Sequence, residues 1–129
     1  MKKDIQMAAV TDVGVAAVHE EGDWKVYLIN FKKEKLKNVI VSSSGYGSEI
    51  NPGVKTSSLR FFFDEVGPSD FVIVETIMEN LFELNNEYWV SFYIGDEIYD
   101  KRFIFVPGSI QVSNLIHISL LQKDGVLIR

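Results

Sequence analysis

The chain of 129 residues sets 13 Lys and Arg against 18 Asp and Glu, a formal charge of −5, and is 47% hydrophobic, 12% aromatic and 24% charged. That composition supports one domain with a self-sufficient core and excludes intrinsic disorder. The lack of cysteine excludes disulfides, zinc–thiolate centres, iron–sulfur clusters and thiol nucleophiles. The acidic excess is one-sided: residues 1–65 hold nine positive and nine negative side chains, and residues 66–129 hold four and nine. No basic patch is present to displace counterions from phosphates, so no nucleic-acid partner is expected. No run approaches the roughly 18 apolar residues of a membrane helix, so no membrane partner is expected either.

In chain order, Asp4 and Gln6 interrupt the apolar stretch behind Lys2-Lys3. That interruption removes the uninterrupted core of a secretory signal and makes the cytoplasm the expected location. From there a period of two dominates. Trp24, Val26 and Leu28 alternate with Lys25, Tyr27 and Ile29, and Ile98, Ile104 and Val106 lie opposite Tyr99, Phe103 and Phe105. Such alternation of branched and aromatic residues predicts strands near 4–9, 13–19, 24–32, 37–43, 56–63, 70–76, 87–94, 97–106, 114–121 and 125–128. The stretches between them hold the residues that turns require, from Glu21-Gly22-Asp23 to Lys123-Asp124-Gly125. Gly95-Asp96 predicts a two-residue hairpin, and Asp124-Gly125 a second one near the C-terminus. The basic run Lys32–Lys37 reads as a solvated turn.

One segment departs from this period. Ile77, Met78, Leu81 and Phe82 recur at helical spacing, Thr76 with Glu79 has the form of a capping box, and Asn85-Asn86 can end a helix. A short connecting helix is therefore predicted at about 77–84, with Glu75, Glu79, Glu83 and Glu87 along its outer side.

Two stretches resemble immunoglobulin and fibronectin-III domains over residues 24–106. The first runs through Val26–Phe31, Leu36–Val41, Leu59–Phe63, Gly67-Pro68 and Val72–Val74. The second is Leu84–Phe92, where Tyr88 is similar to the tyrosine-corner residue whose hydroxyl bonds upstream backbone. The resemblance implies an antiparallel sandwich. The chain departs from it in having no Cys pair and in adding a hairpin at 114–128. The whole chain also resembles a group of short uncharacterised bacterial proteins, some labelled phenylalanyl-tRNA-synthetase related. A class II synthetase core is much larger and uses basic ATP-binding motifs, which this acidic chain does not carry.

Candidate chemistry is sparse. His19, beside Glu20-Glu21, reads as an exposed turn histidine, because a metal needs further ligands at defined spacing. His117 reads as a half-buried structural residue of a hairpin strand. Ser42–Ser48, with Gly45 and Gly47, reads as a flexible connection. It lacks the Gly-Lys-Ser/Thr ending of a phosphate loop, although a Gly/Ser amide nest for phosphate is the functional alternative. The pairs Glu20/Glu21, Asp64/Glu65 and Asp96/Glu97 are adjacent, so in strands they point to opposite faces and cannot act together as acid and base.

The aromatics carry more information. Phe62 must point opposite Phe61 and Phe63, and Trp89 and Tyr93 opposite Tyr88 and Phe92, so rings occupy both faces of their strands. An outer face bearing rings needs a cover, supplied by the helix, the terminal hairpin or another subunit. The expectation is an all-β, immunoglobulin-like antiparallel sandwich of one domain over residues 1–129, with the helix at 77–84 and the added hairpin. It is expected to act without catalysis and without a cofactor or metal, as a protein-interaction or assembly module that pairs with itself as a homodimer through Phe62, Trp89, Tyr93 and Tyr99. The alternative is a small-ligand-binding β domain with an aromatic-lined pocket.

Overall fold

The computed structural model describes residues 10–47 and 52–129, and the period-two segments in them become nine strands. These are β1 (Val13–Glu20), β2 (Asp23–Asn30), β3 (Leu36–Tyr46), β4 (Leu59–Val66), β5 (Asp70–Ile77), β6 (Asn85–Ile94), β7 (Glu97–Phe105), β8 (Ile116–Ile118) and β9 (Lys123–Ile128). They form two antiparallel sheets, β5-β2-β1-β9-β8 and β4-β3-β6-β7, stacked as a sandwich. The expected strand at 4–9 lies outside the described residues.

Alternation decides which side chains meet between the sheets. Val13, Val15 and Ala17 of β1 and Trp24, Val26 and Leu28 of β2 face Val39 and Val41 of β3, Tyr88, Val90 and Phe92 of β6, and Phe103 and Phe105 of β7. Burying each large ring or branched chain contributes about 1.5–3 kcal/mol, so this layer dominates stability. Phe61 and Phe63 pack onto it while Phe62 points outward, as the strict pleat requires.

The hairpins follow from turn chemistry. Glu21 and Gly22 join β1 to β2 with positive φ at both positions (53° and 83°), the backbone of a two-residue type I′ turn. Gly95-Asp96 joins β6 to β7 as expected, with φ 59° at the glycine. The crossovers between sheets are held by the fully buried Asn30 at the end of β2. Its Nδ2 donates to the carbonyls of Glu34 (2.8 Å), Gly67 (2.9 Å) and Val66 (3.3 Å), and its Oδ1 accepts from Lys32 N (2.9 Å). One side chain thus ties the β2–β3 and β4–β5 connections together.

Four local expectations need correction. The helix at 77–84 is absent: a single 3₁₀ turn, Glu79–Leu81, stands there with no side-chain cap. β5 keeps pairing with β2 as far as Ile77 opposite Trp24, so Thr76 is a strand residue and no capping box forms. Glu79 instead accepts a hydrogen bond from Trp24 Nε1 at 3.3 Å. The acidic stripe is dispersed with the helix, since Glu75 lies in β5 and Glu87 in β6.

Ser42–Tyr46, expected as a loop, is the second half of β3 and pairs with β6 from Ser42 opposite Trp89 to Tyr46 opposite Asn85. Neighbours on both sides outweigh the turn preference of Ser and Gly. Ser48 lies outside the described residues. The last turn falls at Ser119–Gln122, with φ 53° at Gln122, and Asp124-Gly125 sits inside β9. Gly125 serves close approach rather than a turn, since a Cβ there would lie 3.0 Å from both Ile118 Cδ1 and Val18 Cγ2. Finally, Tyr88 is buried as expected, but its hydroxyl donates to Glu75 Oε2 (2.7 Å) on the opposite sheet, not to upstream backbone.

Candidate functional site

Each sheet has an outer face, and the two are built differently. On the five-stranded sheet, Ala16 and Val18 of β1 and Tyr27 and Ile29 of β2 point outward yet are buried, because Ile118 and Leu121 of the terminal hairpin pack over them with Leu120, Leu127 and Phe31. This second core explains why β1 and β2 read as nearly continuous apolar runs. Its rim is polar. Tyr27 Oη and Lys123 Nζ both donate to the Glu20 carboxylate. Burial alone would raise the Glu20 pKa, but the hydrogen bonds from Lys123 and Tyr27 and the charges of Lys123 and Lys25 hold it below the usual carboxylate value. Burial and the Glu20 carboxylate push the Tyr27 phenol up.

The outer face of β4-β3-β6-β7 has no such cover among the described residues. Cross-strand register brings its side chains into rows: Phe62, Ile40, Ser91 and Asp100 in one, and Arg60, Ser42, Trp89 and Arg102 in the next. Tyr93 and Ile98 form a further pair at the β6–β7 end. Phe62 is 60% exposed and Trp89 42%, with Ile40, Tyr93 and Ile98 also exposed. The Arg102 guanidinium lies 5.0 Å from the Trp89 ring centre and 3.7 Å from Glu87 Oε1, which also accepts from Tyr46 Oη at 3.3 Å. Burial and Glu87 raise the Tyr46 phenol above its ordinary value. A groove of about 430 Å³ follows this face between Trp89, Arg60, Glu87 and Asp100, floored by Ser42 and Ser91.

Three of the four residues expected at a contact surface, Phe62, Trp89 and Tyr93, therefore share one open face. Tyr99 does not join them. It stacks on Phe92 (centroids 5.7 Å apart, planes 17° apart) on the inward side of β7, because position 99 shares parity with the buried Phe103 and Phe105. Ile98, its neighbour, occupies the outward position instead. Ile40 and Ile98 were missed because branched aliphatic residues in strands read first as core; the two-residue turn at Gly95-Asp96 fixes the register that puts Ile98 beside Tyr93.

The remaining candidates are structural in form. The His19 ring lies 5.0 Å from that of Trp24. His117 is exposed rather than half-buried, with Nδ1 3.2 Å from Asp124 Oδ1, because β8 is only three residues long and Ile118 is the one that turns inward. Among the described residues, no three His, Asp or Glu side chains gather into a set able to hold a metal ion, and no helix is long and apolar enough to cross a membrane. No family model, curated protein or solved structure matches the chain.

Proposed function

We propose that the protein is a non-catalytic interaction or assembly module that pairs with a second copy of itself through the outer face of β4-β3-β6-β7. The observation that carries this reading is the gathering of five exposed apolar side chains, Ile40, Phe62, Trp89, Tyr93 and Ile98, on one face of one sheet. Exposed apolar side chains scattered singly need no explanation; a contiguous group with a polar rim marks association.

The charges on the face favour a second copy as the occupant. Asp100 and Arg102 are successive outward residues of β7, so a two-fold axis across the strands between their rows sets each Asp100 against the other copy's Arg102. Such an interface is self-complementary, as a two-fold contact must be. Strand and row spacing give a patch of about 400 Å² per copy, half the area of a standard stable interface, so the dimer is weak and exchanges freely. The crossover order, with β5-β2-β1 stacked against β4-β3-β6-β7, supports an immunoglobulin- or fibronectin-III-like assignment as part of the same reading. A cytoplasmic location belongs to this proposal as well.

Sedimentation velocity between about 10 µM and about 1 mM, the range in which small interfaces associate, tests the proposal. The expected result is a concentration-dependent shift toward dimer that Trp89→Ser abolishes. A monomer throughout that range overturns it.

A further inference from the structure

Away from the open face, a second feature points to a small-molecule site. A cavity of about 250 Å³ with mainly apolar walls opens between the sheets, where the end of β3 (Ser43–Gly45), the end of β5 (Glu75–Ile77) and the start of β6 (Asn86–Tyr88) come together. Leu59 and Leu81 complete its sides. A dry apolar cavity of about 150 Å³ is enough to take up benzene, so this space admits a ligand with one ring.

Besides the hydroxyls of Ser43, Ser44, Thr56, Ser57 and Thr76, the cavity holds one carboxylate, Glu75, and one buried amide, Asn86. The pairing of β2 with β5 shifts between Val26–Glu75 and Tyr27–Ile73, which makes Val74 the extra residue of a β-bulge. The bulge turns Glu75 to the same side as its partner Val26, which belongs to the inter-sheet core. Bulges commonly re-aim a side chain in this way beside functional sites. Tyr88 donates to Glu75 Oε2, and no lysine or arginine among the described residues forms an ion pair with Glu75. Burial and Glu75 push the Tyr88 phenol well above its ordinary value, so it stays protonated as a donor to the carboxylate.

Asn86, buried beside Glu75, spends both Nδ2 hydrogens on the carbonyls of Leu81 (2.8 Å) and Leu84 (3.2 Å). Those bonds fix the amide orientation and leave its Oδ1 toward Gly45, another cavity residue, with no donor among the described residues. A carboxylate and a buried amide oxygen, both accepting, thus face an apolar space. Glu75 keeps accepting capacity beyond its bond from Tyr88, and Asn86 Oδ1 has no donor among the described residues; the group that serves both at once is a cation with several N–H donors.

We infer that this cavity binds a small organic ammonium ion, its apolar body between the sheets and its N–H groups on Glu75 and Asn86 Oδ1. The site is separate from the outer face and does not depend on self-association.

The test is an amide-shift NMR titration of the full chain with phenethylammonium, alongside the neutral isostere 2-phenylethanol. The expected result is saturable shifts centred on Gly45, Thr76 and Tyr88, with the ammonium binding at least about tenfold more tightly than the alcohol, as a charge-assisted hydrogen bond implies. Glu75→Gln, which keeps an acceptor for Tyr88, is expected to erase that preference. Leu59→Trp, made at a half-exposed wall residue, narrows the cavity without touching the core and is expected to weaken both ligands. Equal binding of the two compounds, a preference that survives Glu75→Gln, shifts centred on Trp89 instead, or no binding at all overturns the inference.

Discussion

The outer faces of the two sheets carry similar side chains and meet different fates. On the five-stranded sheet, Val18, Tyr27 and Ile29 are sealed by Ile118, Leu120 and Leu121 of the terminal hairpin, and the Glu20–Lys123–Tyr27 contacts close the rim. On the four-stranded sheet, Ile40, Phe62, Trp89, Tyr93 and Ile98 stand in rows with serines and paired charges between them and nothing from the described residues above them. Outward-facing rings therefore do not have one meaning. Where the chain supplies its own lid, the face is a second core and acts on stability; where it does not, the face acts on association.

Substitutions that break this contrast should separate the two effects. The largest loss is expected from Ile118→Ala, which empties the lid: about 2–5 kcal/mol by urea denaturation, with no change in dimerisation. Gly125→Ala should follow at about 1–3 kcal/mol, because the new Cβ meets Ile118 and Val18 side chains at 3.0 Å and the Ala17 carbonyl at 3.1 Å, and backbone cannot give way.

The lid's rim should also titrate. Because the Glu20 carboxyl is held below its unfolded value of 4.5, its contribution is full above that pH and is lost as the pH falls through the lower folded value. Glu20→Gln should therefore lose less stability than the wild type between about pH 6 and about pH 3. Equal slopes would show that the rim contacts do not hold the lid. The smallest change in stability, within about 0.5 kcal/mol, is expected for Phe62→Ser on the open face, together with a clear weakening of the dimer in sedimentation. A Phe62→Ser variant as costly as Ile118→Ala would erase the distinction between the faces.

The architecture was legible in the sequence because its signal is local and repeated. Trp24-Lys25-Val26-Tyr27-Leu28-Ile29 alternates, and the Phe61–Phe63 run announces rings on both faces of its strand without any knowledge of neighbours. Phe62, Trp89 and Tyr93 were identifiable as outward by the same parity. What was illegible depends on partners distant in sequence. Tyr99 is the exception, since the parity it shares with Phe103 places it inward without any distant partner. Ile77 reads as helical beside Leu81, and only its pairing with Trp24 makes it a strand residue. Ser42–Tyr46 reads as a loop until β6 pairs along all of it. Glu75 and Asn86 carry no pattern at all, since it takes the bulge at Val74 and the opposite sheet to bring them to one cavity.

The pairing of β9 with β1 has a kinetic consequence. Val15 lies opposite Ile128, so the middle of the five-stranded sheet joins the two most distant parts of the described chain. Contacts of such sequence separation are slow to find, and refolding is expected on the millisecond-to-second scale of all-β domains. The lid can settle only after that search ends, which places it late on the pathway. In stopped-flow experiments Ile118→Ala should consequently refold at the wild-type rate and unfold faster; slowed refolding would move the lid into the nucleus.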